Sequence, residues 1–133
     1  MTLICVDDHP LLLDGLVQNV RFASPDADVA GFTNTERAFS YAEQHGCDVL
    51  FCEIDMYSGS GLLFAKQIRQ MYPKANIVFV TVCSENEHAK AVFELRPSGY
   101  ITKPATREQI ATELSQLRYP VAGRESGEGD FAS

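Results

Sequence analysis

The sequence predicts one α/β domain built on a parallel sheet with helices on both faces. Three observations carry this. Five short runs are apolar at consecutive positions, not alternate ones, as in strands buried on both sides. Segments with helical spacing separate them. Strand–helix alternation with right-handed crossovers gives a doubly wound sandwich. The length of 133 residues suits one domain, and 45% apolar residues supply a core without staples.

The elements follow in order. Leu3-Ile4-Cys5-Val6 is a first strand that stops at Asp7-Asp8. Pro10 can open a helix, and Leu12, Leu13, Leu16, Val17 and Val20 have its spacing until Ser24-Pro25-Asp26 breaks it. Residues 29–32 form a weaker strand. Thr33-x-x-Glu36 has the capping-box pattern of a helix ending near Gly46. Residues 48–53 are the third strand, and a helix over residues 61–71 is stopped by Pro73. Residues 77–82 form the most β-branched strand. Ser84-x-x-Glu87 predicts a cap for the helix carrying Ala89, Val92, Phe93 and Leu95. Gly99-Tyr100-Ile101-Thr102 is a fifth strand. Thr106-x-x-Gln109 caps the last helix, with Ile110, Leu114 and Leu117 on one face. From Arg118 the pattern ends, so residues 1–118 are expected as the domain and 119–133 as a flexible tail or linker stump.

Charge and cysteine usage exclude several classes. A formal charge of -7 argues against this segment gripping nucleic acid or an anionic membrane, which needs clustered Lys and Arg. Cys5, Cys47, Cys52 and Cys83 show no zinc-ligand spacing and read as reduced structural thiols, so a cytoplasmic location is expected. The chain opens without a charged leader, and no apolar stretch reaches the roughly 20 residues that cross a bilayer.

In doubly wound folds, ligands bind at the carboxyl ends of the strands. Those ends carry Asp7 and Asp8, then Glu53, then Thr81, with Lys103-Pro104 after the last strand. Asp7-Asp8 alone is equally well read as an acid pair at a helix start. Together, the acids suit a hard divalent cation such as Mg²⁺, and Thr81 with Lys103 suits phosphoryl oxygens.

At these residues the chain resembles the receiver domains of two-component response regulators. The matching stretches are "LICVDDHPLLLDGL", "CDVLFCEIDMYSGSGLLFAKQIR", "IVFVTVCSE" and "SGYITKPATREQI", spanning residues 3 to about 117. The "DDHPLL" opening is most similar to the LuxR/NarL-type subfamily, which carries a helix-turn-helix DNA-binding output domain. The resemblance implies a flavodoxin-like (βα)5 fold, a partner histidine kinase, Mg²⁺ and transcriptional control by a C-terminal domain absent from this chain. It implies Asp8 as the direct metal-ligand acid, with Asp7 acting through water. It implies Thr81 as the switch hydroxyl, Tyr100 as the switch aromatic, Lys103 as the phosphoryl-pairing lysine and a cis Lys103–Pro104 bond. It also implies a non-enzymatic signalling module, with a homodimer through the fourth helix, fifth strand and fifth helix.

The acceptor is the exception. The spacings to Asp7, Thr81, Lys103 and Gly61 place Glu53, not Asp55, at the family's acceptor position. Choosing Asp55 moves every spacing by two residues in the wrong direction. Asp55 then falls where the backbone carbonyl ligates the metal. Glu is one methylene longer than Asp, and in-line attack on phosphorus tolerates little displacement. A Glu53–Lys103 ion pair would imitate part of the charge of a phosphorylated aspartate. Tyr57 and Val82 are bulky at positions where small residues or proline are usual, and Asp55 adds repulsion at the mouth. The expectation is therefore a pseudo-receiver with a degenerate acceptor and weak or absent Mg²⁺ binding. The alternatives are phosphorylation on Asp55 or Glu53, and a pure dimerisation or interaction module.

Two enzyme classes on related folds do not fit. A flavodoxin-type carrier needs a Ser/Thr/Gly phosphate loop where "DDHPLL" stands, and a haloacid-dehalogenase-type phosphatase needs Asp-x-Asp there. His9, His45 and His88 read as scattered surface residues. Phe22, Phe32, Phe39, Phe64, Phe79 and Phe93 read as core.

Overall fold

The computed structural model describes residues 1–57, 59–82 and 88–121. The chain runs β1 (Thr2–Val6), α1 (Pro10–Ala23), β2 (Asp28–Phe32), α2 (Thr35–His45), β3 (Val49–Cys52), β4 (Asp55–Met56), β5 (Gly59–Ser60), α3 (Gly61–Met71), β6 (Asn76–Thr81), α4 (Ala89–Glu94), β7 (Gly99–Thr102) and α5 (Arg107–Ser115). Five strands form one parallel sheet in the order β2-β1-β3-β6-β7. The order reverses between β1 and β3, so the crevice of the fold lies at their carboxyl ends. Val6 pairs with Cys52, which sends Asp7 and Glu53 out of the sheet side by side. Thr81 pairs with Thr102, which delivers Lys103 to the same rim.

Alternate residues of each strand feed two separate cores. Ile4, Leu50, Cys52, Ile77 and Phe79 point toward Ala38, Ala42, Phe64, Ile68 and Val92 of α2, α3 and α4. Leu3, Cys5, Phe51, Val78 and Val80 point toward Leu13, Val17, Val20, Ile110 and Leu114 of α1 and α5. Burial on both faces explains the unbroken apolar runs.

Helix ends follow local chemistry. His9 caps α1, Ser60 caps α3, and Thr106 with Gln109 forms the full capping box of α5. Gly46, with φ of 83°, closes α2 in a conformation that an L side chain disfavours.

Several expectations are corrected. The cap of α2 is Asn34, not Thr33: Asn34 Oδ1 accepts from Arg37 N–H at 2.9 Å. Both residues have a suitable oxygen, and the strand runs through Phe32, which leaves Asn34 in the extended conformation a cap requires. The Ser84-x-x-Glu87 box lies outside the described residues, and α4 begins after His88, which makes no side-chain cap bond. β4 and β5 form a short antiparallel hairpin that no apolar pattern announces.

Phe22 and Phe93 are exposed, at 66% and 80%. Phe22 lies under the Arg107 guanidinium at 4.1 Å, and around α4 the inward positions are taken by Val92 and the C-cap residue Leu95. Phe64 and Phe79 are buried, while Phe32 and Phe39 pack half-buried against the core.

The expected tail boundary also moves. Tyr119 N–H donates to Asn76 Oδ1 at 2.7 Å, and Asn76 Nδ2 donates to Tyr119 O at 2.8 Å. Arg118 N–H donates to Ser98 Oγ, and Val121 is buried. Residues 118–121 are thus docked at the amino end of β6.

Candidate acid pocket

The pocket is built from three strand ends. Asp7 and Glu53 follow β1 and β3 and are almost fully buried, at 2% and 4% exposure. Lys103 follows β7 and reaches between them. Its Nζ lies 2.6 Å from Asp7 Oδ2 and 2.6 Å from Glu53 Oε1. The second oxygens are also engaged. Asp7 Oδ1 accepts from His9 N–H at 2.9 Å. Glu53 Oε2 accepts from Ile54 N–H at 2.7 Å and from Asp55 N–H at 3.2 Å. The longer Glu side chain thus curls back onto its own loop while still touching Lys103.

Burial alone would lower the Lys103 pKa, but hydrogen bonds and charge from Asp7 and Glu53 outweigh it, so the ammonium is held above its ordinary value. Lys103 N–H donates to Thr81 O at 2.8 Å, and the Lys103–Pro104 peptide is cis. Thr81 is fully buried beneath it.

Backbone proximity fixes the floor. Gly61 N–H donates to Ile54 O at 2.7 Å. A Cβ on Gly61 would stand 1.7 Å from Glu53 O, so no other residue fits without moving that loop. Cys52 Sγ contacts the carbonyls of Glu53 and Gly61 from within the core.

The remaining expected site residues do not join this triad. The Asp8 carboxylate accepts the Tyr57 N–H. The Asp55 side chain is 63% exposed and faces His88, with Oδ1 3.5 Å from Nε2. His88, expected as a scattered surface residue, is carried by the fold to face Asp55 from the start of α4, which its sequence spacing does not reveal. Tyr57 is fully exposed and Val82 is 67% exposed, so both side chains lie at the surface and not within the pocket. Tyr57 acts through its N–H. Tyr100 is 39% exposed, with its ring 6.5 Å from Phe79.

Residues 3–115 match the response regulator receiver domain family. The chain belongs to this family. Among its relatives, the nitrate/nitrite response regulator protein NarL of Escherichia coli is 28% identical over 86% of this chain and 53% of its own length. This receiver chain spans about half the length of the curated relatives it matches. Among solved structures, the chemotaxis protein CheY4 of Vibrio cholerae superposes with a TM-score of 0.79 at 19% identity, covering 87% of this chain and 97% of that one. A Burkholderia pseudomallei response regulator, described with a phosphorylated aspartic acid, calcium ion and citrate, superposes with a TM-score of 0.75 at 19% identity, covering 96% of this chain and 72% of that one. The five-stranded parallel sheet with five helices is the receiver fold.

Receiver domains typically bind Mg²⁺ at the acceptor. In this receiver the buried carboxylates share the Lys103 ammonium, Asp8 holds a backbone N–H, and Asp55 faces outward. Among the described residues, no three acidic, imidazole or thiol groups are arranged to hold a metal ion. No described helix is long and apolar enough to cross a membrane.

Proposed function

We propose that this receiver domain works without phosphoryl transfer, as a pseudo-receiver that passes signals by partner or ligand binding to an output domain controlling transcription. One observation carries the reading: Lys103 sits 2.6 Å from both Asp7 Oδ2 and Glu53 Oε1. The lysine that would meet an incoming phosphoryl group is already neutralised, and the acceptor-position carboxylate has both oxygens engaged. A nucleophile must approach phosphorus in line, within a fraction of an ångström. Glu53 would have to give up three contacts to do so. Its negative charge beside Lys103 imitates part of what a phosphorylated aspartate presents.

The similarity to the response regulator NarL, and to a DNA-binding response regulator of the LuxR family from Staphylococcus aureus, supports a DNA-binding output and a histidine kinase partner. Homodimerisation through the α4–β7–α5 face and a cytoplasmic location belong to the same reading. Mg²⁺ binding is weak in it, because the acids are committed elsewhere. Asp55 does not replace Glu53 as acceptor, because it faces His88 and not Lys103.

Beryllofluoride, a phosphoryl mimic that needs an aspartate and Mg²⁺, tests this. Added with Mg²⁺, it should leave the melting temperature of the natural protein unchanged and raise that of Glu53→Asp. A rise in the natural protein would contradict the proposal, because anything that binds only the folded state stabilises it.

A further inference from the structure

We propose that the cavity between α2 and α3 is a binding site for a small compound with an aromatic body and a primary ammonium group. The cavity measures about 440 Å³, within the roughly 300–1,000 Å³ typical of small-molecule sites. Its walls are apolar: Phe39 from α2, with Leu63 and Phe64 from α3. Leu63 is 58% exposed at the cavity's edge. Thr35 and Gln67 add hydrogen-bonding groups. Among the described lining residues, Glu36 is the one charged side chain.

That composition selects a cation. The Glu36 carboxylate meets no basic side chain among the described lining residues. The chain's formal charge of -7 adds to the attraction. The apolar walls select the rest of the molecule: a ring that packs between Phe39, Leu63 and Phe64.

The cavity has a direct connection to the acid pocket. Its floor is Gly59 and Ser60. These pair with Met56 and Asp55 across the β4–β5 hairpin. Asp55 N–H in turn donates to Glu53 Oε2. An occupant pressing on Gly59 and Ser60 moves the strand whose N–H holds Glu53. The site is independent of whether Glu53 accepts a phosphoryl group, since no lining residue belongs to the acid pocket.

The test is a ¹H–¹⁵N NMR titration of the whole chain with 2-phenylethylammonium, alongside 2-phenylethanol and 3-phenylpropionate. The ammonium compound should give saturable shifts at the amides of Gly59, Ser60 and Leu63, followed by Ile54 and Asp55. The alcohol and the acid should bind about tenfold more weakly or less. Glu36→Gln should cost about the same factor for the ammonium compound alone. The absence of saturable shifts at Gly59 and Leu63 at about 10 mM would overturn the site, since even fragment-level binding registers there. Equal affinity for the alcohol would overturn its preference for a cation. Shifts that stop at the cavity and never reach Ile54 or Asp55 would overturn the coupling. The three-compound comparison on the natural chain decides these points even if the variant folds poorly.

Discussion

Gly61 and Lys103 are the residues on which the acid pocket depends most. A methyl on Gly61 collides with the Glu53 carbonyl oxygen, and backbone on both sides cannot yield cheaply. Gly61→Ala should therefore destabilise the fold by more than about 3 kcal/mol, measured by urea unfolding. Gly15, within α1, is the contrasting case: a Cβ there meets nothing within 4 Å. Gly15→Ala should stabilise by up to about 1 kcal/mol through helix propensity and a less free unfolded chain. Lys103→Met leaves Asp7 and Glu53 buried without their cation and should cost about 3–5 kcal/mol. Spacing in the sequence was enough to place Asp7, Glu53, Thr81 and Lys103 on one rim, because each follows a strand of the same parallel sheet. It could not show how a longer carboxylate would settle. That depends on the Ile54 and Asp55 N–H groups, which carry no sequence signature. It also could not show that Tyr57 and Val82 point outward, because side-chain direction in a loop has no period.

At the scale of elements, buried polar contacts dock residues 118–121 onto the sheet. Asn76 is fully buried, and its side chain bonds Asp48 O, Tyr119 O, Tyr119 N–H and Ser98 Oγ. Nearby, the buried Arg69 guanidinium donates to the carbonyls of Leu95, Pro73, Ala75 and Arg96 and lies 5.3 Å from the Tyr119 ring. The sequence of residues 118–121 is polar and aperiodic and reads as tail. Its order comes from partners 20 and 43 positions away in the chain, which local pattern cannot register. Asn76→Ala should cost about 1–3 kcal/mol by stranding these groups. Amide exchange at Tyr119 should accelerate more than exchange in α1. The α5 capping box was legible because Thr106 and Gln109 satisfy each other within four residues. The Thr33 box failed because Asn34 stood one position closer to the helix.

For the whole molecule, three buried thiols among the described residues contribute to the response to alkali. Burial pushes the Cys47 thiol up to about 12, and it raises Cys5 and Cys52 as well. A raised folded-state pKa means the native state keeps its proton while the unfolded chain releases it. The stabilisation is complete below the unfolded value near 9.0 and is lost as pH rises toward the folded value. Lys103 acts in the same direction at higher pH, because its folded pKa is also raised. Unfolding free energy should thus fall between pH 8 and about pH 11, by up to about 1.4 kcal/mol per unit for each thiol titrating only in the unfolded chain. Urea midpoints across that range check it, and Cys47→Ala should flatten the slope.

The whole domain retains a receiver fold while its acceptor-position Glu53 is paired with Lys103. Intact-mass spectrometry after incubation with acetyl phosphate and Mg²⁺ tests this most directly. The natural protein should show no adduct of about 80 Da, and Glu53→Asp, with its shorter side chain, should gain one. Stoichiometric labelling of the natural protein, at Glu53 or at Asp55, would contradict the account.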